Sequence, residues 1–183
     1  MNDNIKLKIN RTAKYYIFTF GIKGWNMNDF AAQAGITKRT LYRYVSSKEK
    51  LVEQTVIAFI SDVQNELEMY LKQSENFIDG IDKIIEVYPK LVEKMSSRVL
   101  MDIFKQYPLL EEKLVEHVND FTKGIVKYFH DAKMDNIIKD ECDIEVLIES
   151  IQGLILYYSK YHPSLINEKL HKIISMMIHG ILI

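Results

Sequence analysis

Apolar residues recur at steps of three and four along most of the chain, which is the spacing of a helix with one buried face. From Ile5 to Phe20 the stripe is Ile5, Ile9, Ala13, Tyr16, Ile17 and Phe20, with Lys6, Lys8, Arg11 and Lys14 off it. Gly21 and Gly24 end this helix, and Asn26, with Asp29 three residues on, caps a second that runs to about Ala34. Ala31 stands four residues before Gly35, so another helix can cross close over its methyl group while Gly35 adopts positive φ. Thr37 then caps a third helix. At about 100° per residue, Leu41 and Val45 fall on its inward face, Arg39, Thr40 and Arg43 point the opposite way, and Tyr42 and Tyr44 flank them. Guanidinium groups on such a face suit guanine edges or phosphates, and the hydroxyls of Thr37, Thr40, Tyr42 and Tyr44 suit phosphate oxygens. The arrangement has the form of a helix-turn-helix, whose second helix enters the major groove N-terminus first.

The same periodicity predicts a long helix from Lys48 to about Gln73, with Leu51, Thr55, Ala58, Phe59, Val63, Leu67 and Leu71 along one side. Further helices are expected at about Phe77 to Lys94, Ser97 to Tyr107, Pro108 to Lys133, Ile144 to Tyr161 and Leu165 to Leu182. No Gly-, Ser- or Pro-rich linker, low-complexity run or internal repeat interrupts them. The last two are apolar on more than one side: "VLIESIQGLILYYSKY" and "IISMMIHGILI" leave little polar circumference. Such helices need two partners, and the second can be the same surface of another copy; Gly153 suits a close approach there and equally suits packing within the chain.

Composition supports the all-α expectation, since the 183 residues include only seven glycines and three prolines, Pro89, Pro108 and Pro163. Cys142 is the single cysteine, which rules out an intrachain disulfide and suits a reducing cytoplasm. The N-terminal "MNDNIKLKINR" has no apolar signal region, and "IISMMIHGILI" is short of the roughly 20 residues of a bilayer crossing, so a soluble protein without a membrane partner is expected. Charge sharpens the picture. Residues 1–50 carry ten basic side chains against three acidic, a net of +7, whereas the remainder carries 14 against 22, a net of −8. A basic N-terminal quarter on an acidic body suits a polyanion-binding module joined to a second functional unit.

Enzymatic chemistry finds little support. There is no Gly-rich phosphate loop, H-E-x-x-H pair, nucleophile elbow or suggestive Cys and His spacing. Glu111, Glu112, Glu116 and Asp120 fall within a few turns of one helix, where a solvated face is expected ahead of a cation site, and the five histidines form no metal-ligand pattern. No catalytic residue, metal or cofactor is expected.

The residues Gly21, Phe30-Ala31, Ala34-Gly35-Ile36-Thr37, Thr40-Leu41-Tyr42-Arg43-Tyr44-Val45, Ser47-Lys48-Glu49 and Leu51 closely resemble the DNA-binding signature of the TetR family of bacterial transcriptional regulators. The resemblance covers about the first fifty residues. Two positions depart from the family pattern: Trp25-Asn26 stand where small hydroxyl residues are common, and Arg39 replaces a small residue, often glycine. Asn26 can still cap, and Trp25 is expected to pack against the first helix rather than to donate its indole N–H to a phosphate.

The resemblance implies an all-α protein with an N-terminal three-helix helix-turn-helix domain (1–47) and a C-terminal helical domain for ligand binding and dimerisation (48–183). It implies a recognition helix from Lys38 to Val45, with Tyr42 and Lys48 contacting phosphates and Thr37, Lys38, Arg39, Thr40 and Tyr44 contacting bases or nearby phosphates; Asn26 and Arg43 complete the expected DNA-binding set. A four-helix dimer interface is implied for the last two helices, with Ile151, Leu154, Ile155, Tyr158, Ile174, Met177, Ile178 and Ile181 as candidates. A small-molecule effector is implied among the middle helices. Candidate lining residues are Tyr88, Met95, Met101, Phe104, Tyr107, Phe121, Tyr128, Phe129 and Tyr157, which helical spacing assigns to core by default, with His117 as a polar contact where a solvated histidine is the default. The expectation is a homodimeric regulator, a repressor that binds a palindromic double-stranded DNA operator and is released by an effector. The other classes compatible with the sequence are a helical protein-interaction module without sequence-specific DNA binding and a small-molecule-binding or catalytic bundle that keeps the pattern as scaffold.

Overall fold

The computed structural model describes residues 3–94 and 97–183, leaving the side chains at 91, 92, 94, 97, 98, 100, 101 and 104 undescribed. Among the described residues the chain is all-α: α1 (Asp3–Phe20), α2 (Met27–Gln33), α3 (Lys38–Tyr42), α4 (Lys48–Gln73), α5 (Phe77–Lys94), α6 (Ser97–Gln106), α7 (Pro108–Met134), α8 (Ile144–Tyr161) and α9 (Ile166–His179), with a 3-10 turn at Pro163–Leu165 before α9. No helix among them is long and apolar enough to cross a membrane.

The chain folds into two compact units. One comprises Met1–Ser61 and Arg98–Leu114, the other Asp62–Ser97 and Val115–Ile183. In the first, Ile9, Ala13 and Ile17 form the buried stripe of α1, as the periodicity predicts, while Phe20 at its end is exposed. Gly21 (φ 72°) turns the chain out of α1. Helix α2 ends in a paired turn in which the Gly35 N–H donates to the Ala32 carbonyl and the Ile36 N–H to the Ala31 carbonyl. This geometry sets Gly35 at φ 65°, a left-handed conformation that glycine adopts without steric cost. Phe30, Ala31, Ala34, Leu41, Val45, Leu51, Val52 and Val56 are buried, so α2, α3 and the start of α4 all turn apolar faces inward. Within the same unit the Lys23 ammonium pairs with the Asp102 carboxylate of α6, and Glu53 of α4 takes both Lys50 (2.8 Å) and Lys113 of α7 (3.1 Å). Those two lysines hold the Glu53 carboxyl below its ordinary value, the Lys50 hydrogen bond being the larger cause.

The second unit has its core where α5 lies along α9 and α8 packs on α9. Phe77, Ile81 and Ile85 of α5 meet Phe129 and Ala132 of α7, Ile144, Leu147, Ile148 and Ile151 of α8, and Leu170, Ile174 and Ile178 of α9. The last helix is shorter than the apolar run predicts. It stops at His179, and the tail instead pairs with residues 137–139: the Lys139 N–H donates to the Ile181 carbonyl (2.9 Å) and the Ile183 N–H to the Ile137 carbonyl (3.1 Å). Apolar character alone does not separate a last helical turn from a short extended pairing.

Candidate nucleic-acid interface

Three local devices build the turn between α2 and α3. Asn26 has extended backbone and its side-chain oxygen accepts from the N–H groups of Asn28 (2.8 Å) and Asp29 (3.1 Å), while its amide donates to the Asp29 carboxylate (2.6 Å). Its side chain is thus committed to capping α2. Thr37 does the same for α3, accepting from the Thr40 N–H at 3.1 Å, and the two threonine hydroxyls share a hydrogen bond of 2.9 Å. Leu41 is fully buried and Val45 nearly so, which fixes the rotation of α3 about its axis.

With that rotation set, Lys38, Arg39, Tyr42 and Arg43 are exposed, whereas Thr40 and Tyr44 are half-buried. Neither Arg39 nor Arg43 makes an ion pair among the described residues. Two exposed guanidinium groups and an exposed lysine on one short element leave positive charge facing solvent. The Lys38 ammonium lies 5.9 Å from the centre of the Tyr42 ring. Helix α3 ends at Tyr42 with Arg43 as its C-cap, so the third helix is shorter than the predicted Lys38 to Val45.

Lys48, at the start of α4, behaves differently. Its ammonium donates to the backbone carbonyl of Trp25 and sits 4.1 Å from the centre of the Trp25 ring. Partial burial lowers its pKa from the ordinary lysine value. The indole is itself locked: its N–H donates to the Gly21 carbonyl (2.8 Å), and its ring lies 5.5 Å from Tyr16 and 5.6 Å from Phe30. Trp25 therefore packs against α1 and α2, and its N–H is not available to a phosphate. This contact between residues 23 positions apart has no signature in local sequence.

The candidate lining residues separate. Tyr88 and Tyr128 pack against the core of the second unit, and burial pushes the Tyr88 hydroxyl up to about 12 and raises that of Tyr128. The Tyr128 ring stacks on Phe77 at 5.2 Å, and its hydroxyl fills the space that a side chain at Gly80 would need. Phe129 is buried in the same core, and Phe121 and His117 are half-buried. Tyr107 is half-buried in the first unit, where burial, with the Glu49 charge, raises its pKa. Tyr157 instead lies on the exposed face of α8. Met95 and the side chains of Met101 and Phe104 lie outside the described residues. Polar groups that residue-type reasoning passes over are also present on α8. Gln152 donates to the Thr122 hydroxyl at 2.8 Å, and the buried Ser159 hydroxyl has no hydrogen-bond partner among the described residues. Their seven-residue spacing on an apolar helix is the available sequence signal. Among the described residues no group of three or more His, Cys, Asp or Glu is placed to hold a metal ion.

Of the candidate interface residues, Ile151, Ile174 and Ile178 are buried in the chain's own core, and Leu154, Ile155, Tyr158, Met177 and Ile181 pack partly against it. The apolar groups left exposed are Val146, Leu156 (55%), Tyr157 and Tyr161 of α8, with Met176 (70%) on α9. On a helix apolar all round, periodicity does not tell which side meets the chain's own core.

Comparison with known proteins places these features. Residues 12–55 match the model of bacterial regulatory proteins of the TetR family. The HTH-type transcriptional regulator YvaF of Bacillus subtilis (strain 168), itself uncharacterized, is 27% identical over 164 residues, covering 86% of this chain and 85% of that protein. A structure from Mesorhizobium loti MAFF303099 described as a TetR-family transcriptional regulator superposes with a TM-score of 0.76 at 15% identity, covering 98% of this chain and 97% of that one. Thermus thermophilus FadR, a TetR-family repressor solved in complex with lauroyl-CoA, superposes with a TM-score of 0.62 at 15% identity, covering 97% and 95%. The likeness to the two structures is one of fold.

Proposed function

We infer that this chain, which belongs to the TetR family of bacterial transcriptional regulators, acts as a homodimeric repressor that binds a palindromic operator and is released by a small-molecule effector. The observation that carries the DNA-binding part is the pose of α3: Leu41 and Val45 anchor it, while Lys38, Arg39, Tyr42 and Arg43 are left exposed, with no ion pair to them among the described residues. In this reading Arg39 reads base edges, Tyr42, Arg43 and Lys48 hold phosphates, and the hydroxyls of Thr37 and Thr40 and the ring of Tyr44 shape the contact. Asn26 serves the interface by fixing α2. The family is regulatory, which supports a non-enzymatic role.

Residues 1–47 form the DNA-binding domain and residues 48–183 the effector and dimerisation domain. Dimerisation uses α8 and α9, with the exposed Val146, Gly153, Leu156 and Tyr157 at the centre and Leu154, Ile155, Tyr158, Met177 and Ile181 bordering it. A twofold dimer supplies two recognition helices to one palindromic site, which a five-residue helix needs for affinity. The effector binds among the helices of the body, with Tyr88, Phe121 and Tyr128 as its first candidate contacts. The lauroyl-CoA bound by Thermus thermophilus FadR supports long apolar chains as the first class to test.

Coupling is supported by the composition of the first unit, which holds both the DNA-binding helices and Arg98–Leu114, tied by Lys23 to Asp102 and by Glu53 to Lys113. A ligand that prefers one arrangement of the body shifts α4 and these ties, and with them the separation of the two recognition helices. Selection of the purified protein on random duplexes tests this: enrichment of an inverted repeat is expected, followed by release of that DNA by one class of ligand. Recovery of unrelated sequences would remove the operator reading.

A further inference from the structure

We propose that Trp25 is a positioning residue for DNA-backbone binding: its indole face and carbonyl hold the Lys48 ammonium in one place before DNA arrives. The proposal rests on the DNA-binding reading above and adds a role for a residue that touches no base. Three observations converge on it. The Lys48 ammonium sits 4.1 Å from the ring centre, well within the range at which a cation is attracted to an indole face. The same ammonium donates to the Trp25 carbonyl. The indole cannot turn away, because its N–H is bonded to the Gly21 carbonyl, Tyr16 and Phe30 flank its ring, and the residue is 7% exposed.

The consequence follows from the chemistry of lysine. An ammonium has three donors on a flexible four-carbon stem, and a free surface lysine loses much rotamer freedom on binding one phosphate. Here one donor goes to the Trp25 carbonyl and the ring occupies one side, which leaves a donor directed elsewhere on a charge already fixed in position. The lysine's loss of freedom occurs on folding rather than on binding DNA. Small residues at position 25 could supply the carbonyl but not the ring.

Trp25 is the chain's single tryptophan, so the contact has its own optical reporter. With excitation at 295 nm, the emission of the wild-type full-length protein should change when any duplex is added, and Lys48→Met should both alter the emission of the free protein and abolish most of the DNA-induced change. Anisotropy with a labelled duplex of arbitrary sequence completes the test. Trp25→Leu should weaken binding about tenfold, Lys48→Met should lower the salt slope by about 0.9, and Trp25→Leu should add nothing in the Lys48→Met background. Trp25→Phe, which keeps a ring and disturbs packing least, should retain most of the affinity. Equal losses from Trp25→Leu in both backgrounds would make Trp25 merely structural and overturn the proposal, as would emission indifferent to Lys48→Met. A wild-type protein that binds no duplex at all would instead remove the DNA-binding reading, and the proposal with it.

Discussion

Gly153 offers a substitution whose sign separates a lone helix from a helix in an interface. It lies on the exposed face of α8, near Val146 and Tyr157, and a methyl group built there meets nothing within 4 Å among the described residues. Gly→Ala in the interior of an exposed helix stabilises by about 1 kcal/mol, which for a chain of this size raises Tm by roughly 2–4 °C. Gly124 in α7 is equally open and supplies the control. If α8 packs closely on its twofold mate, the Gly153→Ala methyl meets the partner instead, at about 1–3 kcal/mol for overpacking, and symmetry places the conflict on both subunits. Gly124→Ala should therefore raise Tm at every protein concentration. Gly153→Ala should weaken the dimer by about tenfold or more, read by sedimentation equilibrium, and lose its gain in Tm as concentration rises. A Gly153→Ala protein that dimerises as tightly as the wild type, with the same gain as Gly124→Ala, would refute close packing of α8 at this point.

Other consequences are open to direct measurement. Gly35→Ala has room for its methyl group but not the right backbone (φ 65°), so it should destabilise by about 1 kcal/mol in urea unfolding; a gain would contradict the turn geometry. Thr37→Ala removes the cap of α3 and should cost about 1 kcal/mol, with DNA affinity falling more than stability because α3 is only five residues long. Arg39→Ala should relax sequence preference by about 1–3 kcal/mol at its base pair, whereas Lys48→Met should weaken binding to all sequences alike; identical effects of both on every duplex would refute that division. Burial pushes the Tyr88 hydroxyl up to about 12, so alkaline titration followed at 295 nm should leave Tyr88 un-ionised until the pH approaches that value. Its raised folded-state pKa contributes stability in full below about 10, a contribution lost as pH rises toward 12. A Tyr88→Phe protein with the same alkaline stability profile as the wild type would contradict that assignment.

The helix-turn-helix was legible because each of its corners is a local event. Asn26, Gly35 and Thr37 act on backbone groups within three or four residues, so residue type and spacing nearly determine the geometry. The long helices were legible for the same reason, since one apolar stripe specifies one buried face. What escaped the sequence depends on distant partners. The Lys48 ammonium lies over Trp25 rather than extending to solvent, a tertiary choice no window of sequence contains. The orientation of α8 is the other case. Ile151 and Leu156 are equally apolar, and only the packing of α5 and α9 decides that the first is buried and the second exposed. Thr40 was placed on the outward face by angle alone, yet its hydroxyl pairs with that of Thr37, because a capping threonine attracts the next hydroxyl along the same turn.

The central claim, operator recognition through α3, is tested most directly by fluorescence anisotropy of the full-length protein against the DNA flanking its own gene and against a shuffled duplex, at low and near-physiological salt. Tight binding to the native duplex that persists at the higher salt is the predicted result. Equal, weak binding to both duplexes that vanishes with salt would reduce the exposed arginines and lysines to nonspecific phosphate contacts and contradict the claim.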